Sequence, residues 1–446
     1  MPRSVYRAPF HRRILPWVFA AVFVALAPAL IFYTSGYRIN PKKVGIERNG
    51  TLIADSRPSG ARISLNGQPS RRVTPSTIQD LPPGPYTVRF ERDGSLPWEK
   101  TLDVRAEQVT FADNVRLWRA GEPRLLAEGR VLALEAASGL NVAAALIATS
   151  TGAEIRFIRA GALAEQFRPD GLSTSTAPLL LWNPGGNAVL ADYAAPEDGR
   201  DAWVSSDLFG PNQGVLQPGD YAWDGNLLVS HEDGLRTVIN PRRQTLERLP
   251  LPAGVLAEAD AFDLVMNTST GAILIQPRSI LRRVYELPSG DWRLAGAGGP
   301  FTLLRDPAPY GAERNDDTWL AVKPNGEPEP ETVQGQRPTW SPAGQARAVI
   351  VDQNELWLWI PGQPPRLLLR RSEPFTDAVW HRHGFHLFVS TNDRVFALEL
   401  DDRGGFLITD LATGFEEIRA IAYSENAMYI AGTKDGVEGL YERLIE

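Results

Sequence analysis

Few residues in this chain are placed to do chemistry. Three of its five histidines fall together, at His381, His383 and His386. Side chains two apart on an extended strand share a face, so His381 and His383 could ligate one metal ion. They sit in a turn, however, with only Asp377 as a nearby carboxylate. Solvated turn residues are therefore the expectation, with no metal. Asn315-Asp-Asp317 and Asp401-Asp402 lack the alternating D-x-D-x-D-G spacing of a calcium loop and read as solvated loop charges. There is no G-x-S-x-G elbow and no Walker-type loop, and Gly296-Ala-Gly-Gly299 lacks the strand-to-helix context of a dinucleotide site. Cysteine is absent, which removes thiolate nucleophiles, thiolate metal sites and disulfides. Carboxylate pairs for glycoside hydrolysis need a separation of roughly 5–10 Å, which only the fold sets. The expectation is a protein that is not an enzyme and takes no cofactor. A propeller-type glycosidase or lyase acting on glycans is the alternative.

The elements that must position any site follow from a repeat. Trp182-Asn-Pro-Gly-Gly, Trp223-Asp-Gly-Asn, Trp340-Ser-Pro-Ala-Gly and Trp380-His-Arg-His-Gly each join an aromatic to a tight turn and a second apolar strand. Weaker copies stand at Phe262, Phe301 and Tyr423, so that successive copies are 39–43 residues apart. Several short strands per step of about 40 residues is the period of propeller blades. Residues 119–446 divide into eight units of about 41 residues better than into seven of about 47, and seven is the alternative. An eighth anchor is expected near Asn141, ahead of the apolar run Ala143–Ala148. The last unit supplies only three strands, while Glu122-Pro-Arg-Leu-Leu126 copies the fourth-strand sequence Pro365-Arg-Leu-Leu368. The N-terminal strand is thus expected to complete the last blade and remove the open edges. The repeated tryptophans are expected to pack between blades rather than to stack ligands. Their turns resemble the W-S-P-D-G turns of TolB-like periplasmic propellers, without the Asp in most copies.

Residues 50–118 form a different unit of short strands. Ala61–Leu65 alternates before the turn Asn66-Gly67, whose residues tolerate positive φ. The order Pro58-Ser-Gly60-Ala61, Leu65-Asn66-Gly67, Thr74-Pro75 and Leu81-Pro-Pro83-Gly84-Pro-Tyr86-Thr-Val88 resembles the PEGA domain family. Ser59 replaces the family's Glu, and Ser95-Leu-Pro-Trp98 stands where the family has Gly-Tyr and polar residues. The resemblance implies a small β-sandwich used as a surface module of bacterial and archaeal envelope proteins, and no reaction.

At the N-terminus, Arg3, Arg7, Arg12 and Arg13 precede Ile14–Tyr33, 20 residues without a charge. At 1.5 Å per residue this spans about 30 Å, the thickness of a bilayer's hydrocarbon core. Ala27-Pro-Ala29 would also suit a signal-peptidase site, but the apolar run continues past it. The chain thus reads as mainly β: tail 1–13, transmembrane helix 14–33, tether 34–49, PEGA-like sandwich 50–118 and propeller 119–446. The basic tail favours a cytoplasmic N-terminus with the body outside, although Arg38, Lys42, Lys43 and Arg48 follow the span. A net charge of −7 does not point to nucleic acid. A membrane anchor, and binding of an envelope protein or cell-wall glycan, are the expected partnerships. The longest polar insertions are expected to carry the contacts, through Tyr193, Glu197 and Asp198 in one and Tyr310, Glu313, Arg314 and Asp316 in the other.

Overall fold

The computed structural model describes residues 10–34, 37–40, 45–137, 140–159, 161–175, 177–193, 200–207, 210–216, 221–279, 283–298, 300–307, 317–342, 346–424 and 426–446. Among them the chain is mainly β, with one helix, α1 (Phe10–Thr34). It divides into two compact units, residues 1–119 with 402–405 and residues 120–401 with 406–446. α1 covers the whole of the expected segment 14–33. Among the described residues no helix is long and apolar enough to cross a membrane. Trp17, Phe19, Phe23 and Val24 are exposed, pointing around the helix rather than along one stripe.

The first unit contains a sandwich. One sheet pairs Gly50–Arg57 antiparallel with Ser76–Leu81 and parallel with Val109–Arg116. The other orders Gln68–Val73, Arg62–Leu65, Gly84–Glu91 and Trp98–Val104, all antiparallel. Trp98–Val104 buries alternate residues because strand side chains point to opposite faces. Leu52, Ile63, Val88, Phe90 and Leu102 are buried in the core, where the rings of Phe90 and Trp98 stack at 5.0 Å. Gln68–Val73 and Ser76–Leu81 are polar strands without apolar alternation, so the sequence pattern did not mark them. Asn66 and Gly67 take φ of 50° and 76° at the expected hairpin turn, and the Asn66 side chain accepts from Thr87 N at 2.8 Å. Thr74 ties the motif together. Its hydroxyl accepts from Ala61 N at 3.0 Å and lies 2.6 Å from the Ser56 hydroxyl, while its carbonyl accepts from Gly60 N at 2.7 Å. The Tyr86 hydroxyl donates to Pro82 O at 3.0 Å, bracing the turn that holds Pro83 and Gly84.

Among the described residues the second unit holds eight four-stranded antiparallel sheets in the arrangement of a β-propeller. Second strands such as Val142–Thr149 and His386–Thr391 are buried along nearly their whole length, because neighbouring blades cover both faces. The clusters that stabilise the ring straddle blade boundaries: Phe157 and Ile155 meet Val189 and Val204, and Val131 and Ile147 meet Tyr429 and Leu440. Each fully buried Leu, Ile or Phe contributes about 1.5–3 kcal/mol. The eighth blade combines Phe415–Ser424, Ala427–Lys434 and Val437–Leu444 with Arg124–Glu128 from the start of the unit. Arg124 Nη2 holds the buried Glu442 carboxylate at 2.6 Å across that seam.

The tryptophans join blades in one recurring way. Trp182 Nε1 donates to Glu135 O at 3.1 Å, Trp223 Nε1 to Leu181 O at 2.7 Å and Trp380 Nε1 to Thr339 O at 2.7 Å. Each reaches the inner strand of the preceding blade. Trp340 breaks the series: its Nε1 is buried and makes no hydrogen bond, while its ring packs against Phe301 and Trp359. Phe262 and Phe301 are not anchors of this kind, since they lie on second strands, Phe262–Met266 and Phe301–Asp306. Asn141 likewise precedes a second strand, and Trp182 finds its partner at Glu135 instead. The contrast is testable. Trp380→Phe should destabilise the ring by about 1–2 kcal/mol through the lost bond, whereas Trp340→Phe should be neutral or stabilising, because it removes a buried unpaired donor. Chemical denaturation of both variants checks this, and equal losses would contradict the assigned roles.

Candidate functional site in the central cavity

Inner strands of a propeller turn every second residue toward the axis, so register decides what the channel presents. Glu135, Leu181 and Thr339 are equivalent, because each is the acceptor for the next blade's tryptophan. Two residues earlier lie Ala133, Leu179 and Arg337, and in the seventh blade Asp377 stands three before Trp380 as Arg337 does before Trp340. These positions line a cavity of about 770 Å³, together with Trp182, Trp340, Gln336, Thr376 and Tyr423. Its wall takes residues from every blade except the fourth. The inner strands of the third and fifth blades, Tyr221–Asp224 and Arg293–Gly298, pack directly on each other instead.

Three charges give the cavity its character. Burial, with repulsion from Asp377, pushes the Glu135 carboxyl up to about 8, against the pull of Arg337. Glu135 thus holds its proton at neutral pH. Burial also raises Asp377 to about 6, although its two oxygens accept from Ala378 N at 2.8 Å and Ile421 N at 3.0 Å. Burial disfavours the charge on Arg337, while Glu135 and Asp192 support it and Arg305 opposes it. Arg305 is itself paired, its Nε 2.8 Å from Asp317 Oδ2. Arg337 is not: among the described residues its one hydrogen bond, Nη2 to Ala295 O, is 3.5 Å long and no ion pair reaches it. A guanidinium has five N–H donors, so most of this one's are open to an acceptor entering the cavity.

Several sequence expectations are corrected here. Tyr193 is not a surface contact residue. Its phenol is buried and donates to Ser173 O at 3.1 Å, its backbone N–H is held by Asp201 at 2.7 Å, and burial pushes its pKa up. Glu197, Asp198, Tyr310, Glu313, Arg314 and Asp316 lie outside the described residues. Asp317 is buried against Arg305 rather than solvated. His381 and His386 are buried too, and His383 is half-buried. His381 Nε2 meets Glu446 Oε1 at 2.6 Å, so its carboxylate partner is Glu446 and not Asp377. The close turn folds His381 under Tyr423 and Phe388, which excludes the water assumed for it. Among the described residues no group of three or more His, Cys, Asp or Glu is placed to hold a metal. Glu135 and Arg337 were missed as site residues. For Glu135 the signal was a charge at an inner-strand position occupied by Leu181 and Thr339 in other blades, whereas the Arg337 position is charged in the seventh blade as well, at Asp377.

In the first unit Thr74 bridges to Ala61, and Asn66, Gly67 and Gly84 take positive φ at the turns of the resembled motif. Residues 49–116 match the PEGA domain. Comparison with curated proteins finds no match. Among solved structures the chain is similar to Raptor of Chaetomium thermophilum, with 14% identity over 74% of this chain, a TM-score of 0.39 and only 29% of the Raptor chain spanned. It is also similar to apo AztD of Citrobacter koseri, with 11% identity, a TM-score of 0.43 and coverage of 70% of this chain and 98% of that one. For Sqt1 of Saccharomyces cerevisiae the identity is 10% and the TM-score 0.41, over 73% of this chain and 98% of that one.

The raised Glu135 pKa makes a signed prediction. The folded state keeps this proton up to about pH 8, whereas an unfolded chain releases it near 4.5. The stability this group contributes is therefore full below 4.5 and lost as pH rises through 8. Glu135→Gln should leave the melting midpoint near the parent's at pH 5 and raise it by a few degrees at pH 9. A difference of the same size at both pH values would contradict the assignment.

Proposed function

We propose that this protein is a membrane-anchored, extracytoplasmic binding scaffold of the cell envelope. A PEGA domain joined to a β-propeller is an interaction-scaffold kind of fold. The observation that carries the anchored reading is α1. Leu15, Trp17, Phe19, Phe23 and Val24 are exposed all round a helix that follows Arg3, Arg7, Arg12 and Arg13 in the chain. A helix apolar on every side needs an apolar surrounding, and the basic flank favours residues 1–13 inside and residues 34–446 outside. In this reading the anchor raises local concentration at the envelope, and the PEGA domain and propeller engage an envelope protein or a cell-wall glycan.

A second reading, a propeller enzyme acting on glycans, has one observation in its favour. Glu135 and Asp377 are two carboxyls lining one cavity, and burial raises both, Glu135 further than Asp377. Turnover of envelope glycans by the purified chain, abolished in Glu135→Gln, would favour it over binding alone.

The anchored reading has a direct test in cells. The full chain should stay with membranes through an alkaline carbonate wash, and external protease should digest the propeller. A chain lacking residues 1–33 should be released. Release of the full chain by the wash, or protection of the propeller in intact cells stripped of outer layers, would contradict it.

A further inference from the structure

We infer that the central cavity is a binding site for a small sugar acid, with Arg337 as the counter-charge to the ligand's carboxylate and Glu135 as a hydrogen-bond donor beside it. The inference rests on the propeller cavity and not on the membrane anchor, so it stands or falls whether or not α1 spans a bilayer.

Arg337 requires an anion. A guanidinium brought away from bulk water loses hydration that a single 3.5 Å bond does not replace. Among the described residues none of the carboxylates around it, Asp192 included, forms a hydrogen bond or an ion pair with it. Glu135 is protonated at neutral pH, Asp377 is committed to two backbone N–H groups, and Asp317 is committed to Arg305. A planar carboxylate fits the open fork of a guanidinium through two parallel bonds.

The rest of the wall suits hydroxyls and a ring face. Glu135, Gln336 and Thr339 supply donors and acceptors toward the cavity, and half-buried Trp182 and Trp340 supply flat apolar surface. A volume of about 770 Å³ accommodates one or two sugar residues, within the roughly 300–1,000 Å³ usual for small-molecule sites. A fatty acid would leave the polar groups unpaired, and a simple dicarboxylate would leave the tryptophan faces bare.

The titratable and charged groups facing Glu135 are Asp377 on the seventh blade and Arg337 on the sixth. Arg305, Asp317, Arg382 and Tyr423 complete the titratable wall, and Asp192 acts on Arg337. Loss of the Glu135 proton places a second negative charge beside the ligand's carboxylate. Binding should therefore weaken as pH rises through about 8.

The test is titration of the purified full chain in detergent with D-glucuronate, followed by tryptophan fluorescence and calorimetry. Glucose and succinate serve as the neutral-sugar and non-sugar controls. Saturable glucuronate binding is expected, with both controls at least roughly tenfold weaker. Arg337→Ala should weaken glucuronate by roughly tenfold or more, and Arg337→Lys, which keeps the charge without the fork, should fall between. Glu135→Gln should retain binding at pH 7 and lose the decline above pH 8, a readout that does not depend on how well Arg337→Ala folds. Absence of glucuronate binding, or binding unchanged in folded Arg337→Ala, would overturn the site. Equal binding of succinate would overturn the sugar assignment, and equal binding of glucose would overturn the role of Arg337.

Discussion

The propeller depends on one piece of strand pairing, Arg124–Glu128 against Val437–Leu444. Every other blade is built from consecutive strands, but the eighth would end on a bare edge without this N-terminal segment. The seam joins residues more than 300 positions apart, so closing it costs loop entropy that grows only slowly with length. The buried Glu442, held by Arg124, fixes its register, and the cluster around Val131, Tyr429 and Leu440 seals the adjoining face. Closure brings the inner strand of the first blade beside that of the eighth. Glu135 can then share a cavity with Asp377 and Arg337.

That cavity follows from the same economy. The tryptophan bonds to preceding inner strands set a common height around the ring, so residues at equal offsets from the anchors form layers. Most positions in these layers are Ala, Leu, Val or Thr. The few charges among them line one cavity, where burial outweighs partial pairing. This explains why two carboxylates are shifted up while the guanidinium keeps open donors. One cationic fork among protonated or committed carboxylates favours an anionic ligand over a cation.

Much of this architecture was legible in the chain. The spacing of Trp182, Trp223, Trp340 and Trp380 marks blades because a large aromatic at one structural position must recur with the repeat. The copy of Pro365-Arg-Leu-Leu368 at residues 123–126 marked the closing strand for the same reason. Phe262 and Phe301 open second strands instead of closing inner ones, since an aromatic beside a turn does not say whether it ends one strand or begins the next. The polar turn sequence around His381 points to solvent, yet ring packing and Glu446 bury it. The cavity charges were illegible, because their meeting depends on register between blades far apart in sequence.

The central claim is that binding occurs at the axis of the ring. Hydrogen exchange of the full chain with and without D-glucuronate tests it most directly. The account predicts slowed exchange confined to the inner strands at residues 131–136, 336–340 and 375–380. Protection confined to residues 49–116, or none in the presence of saturating ligand, would contradict it.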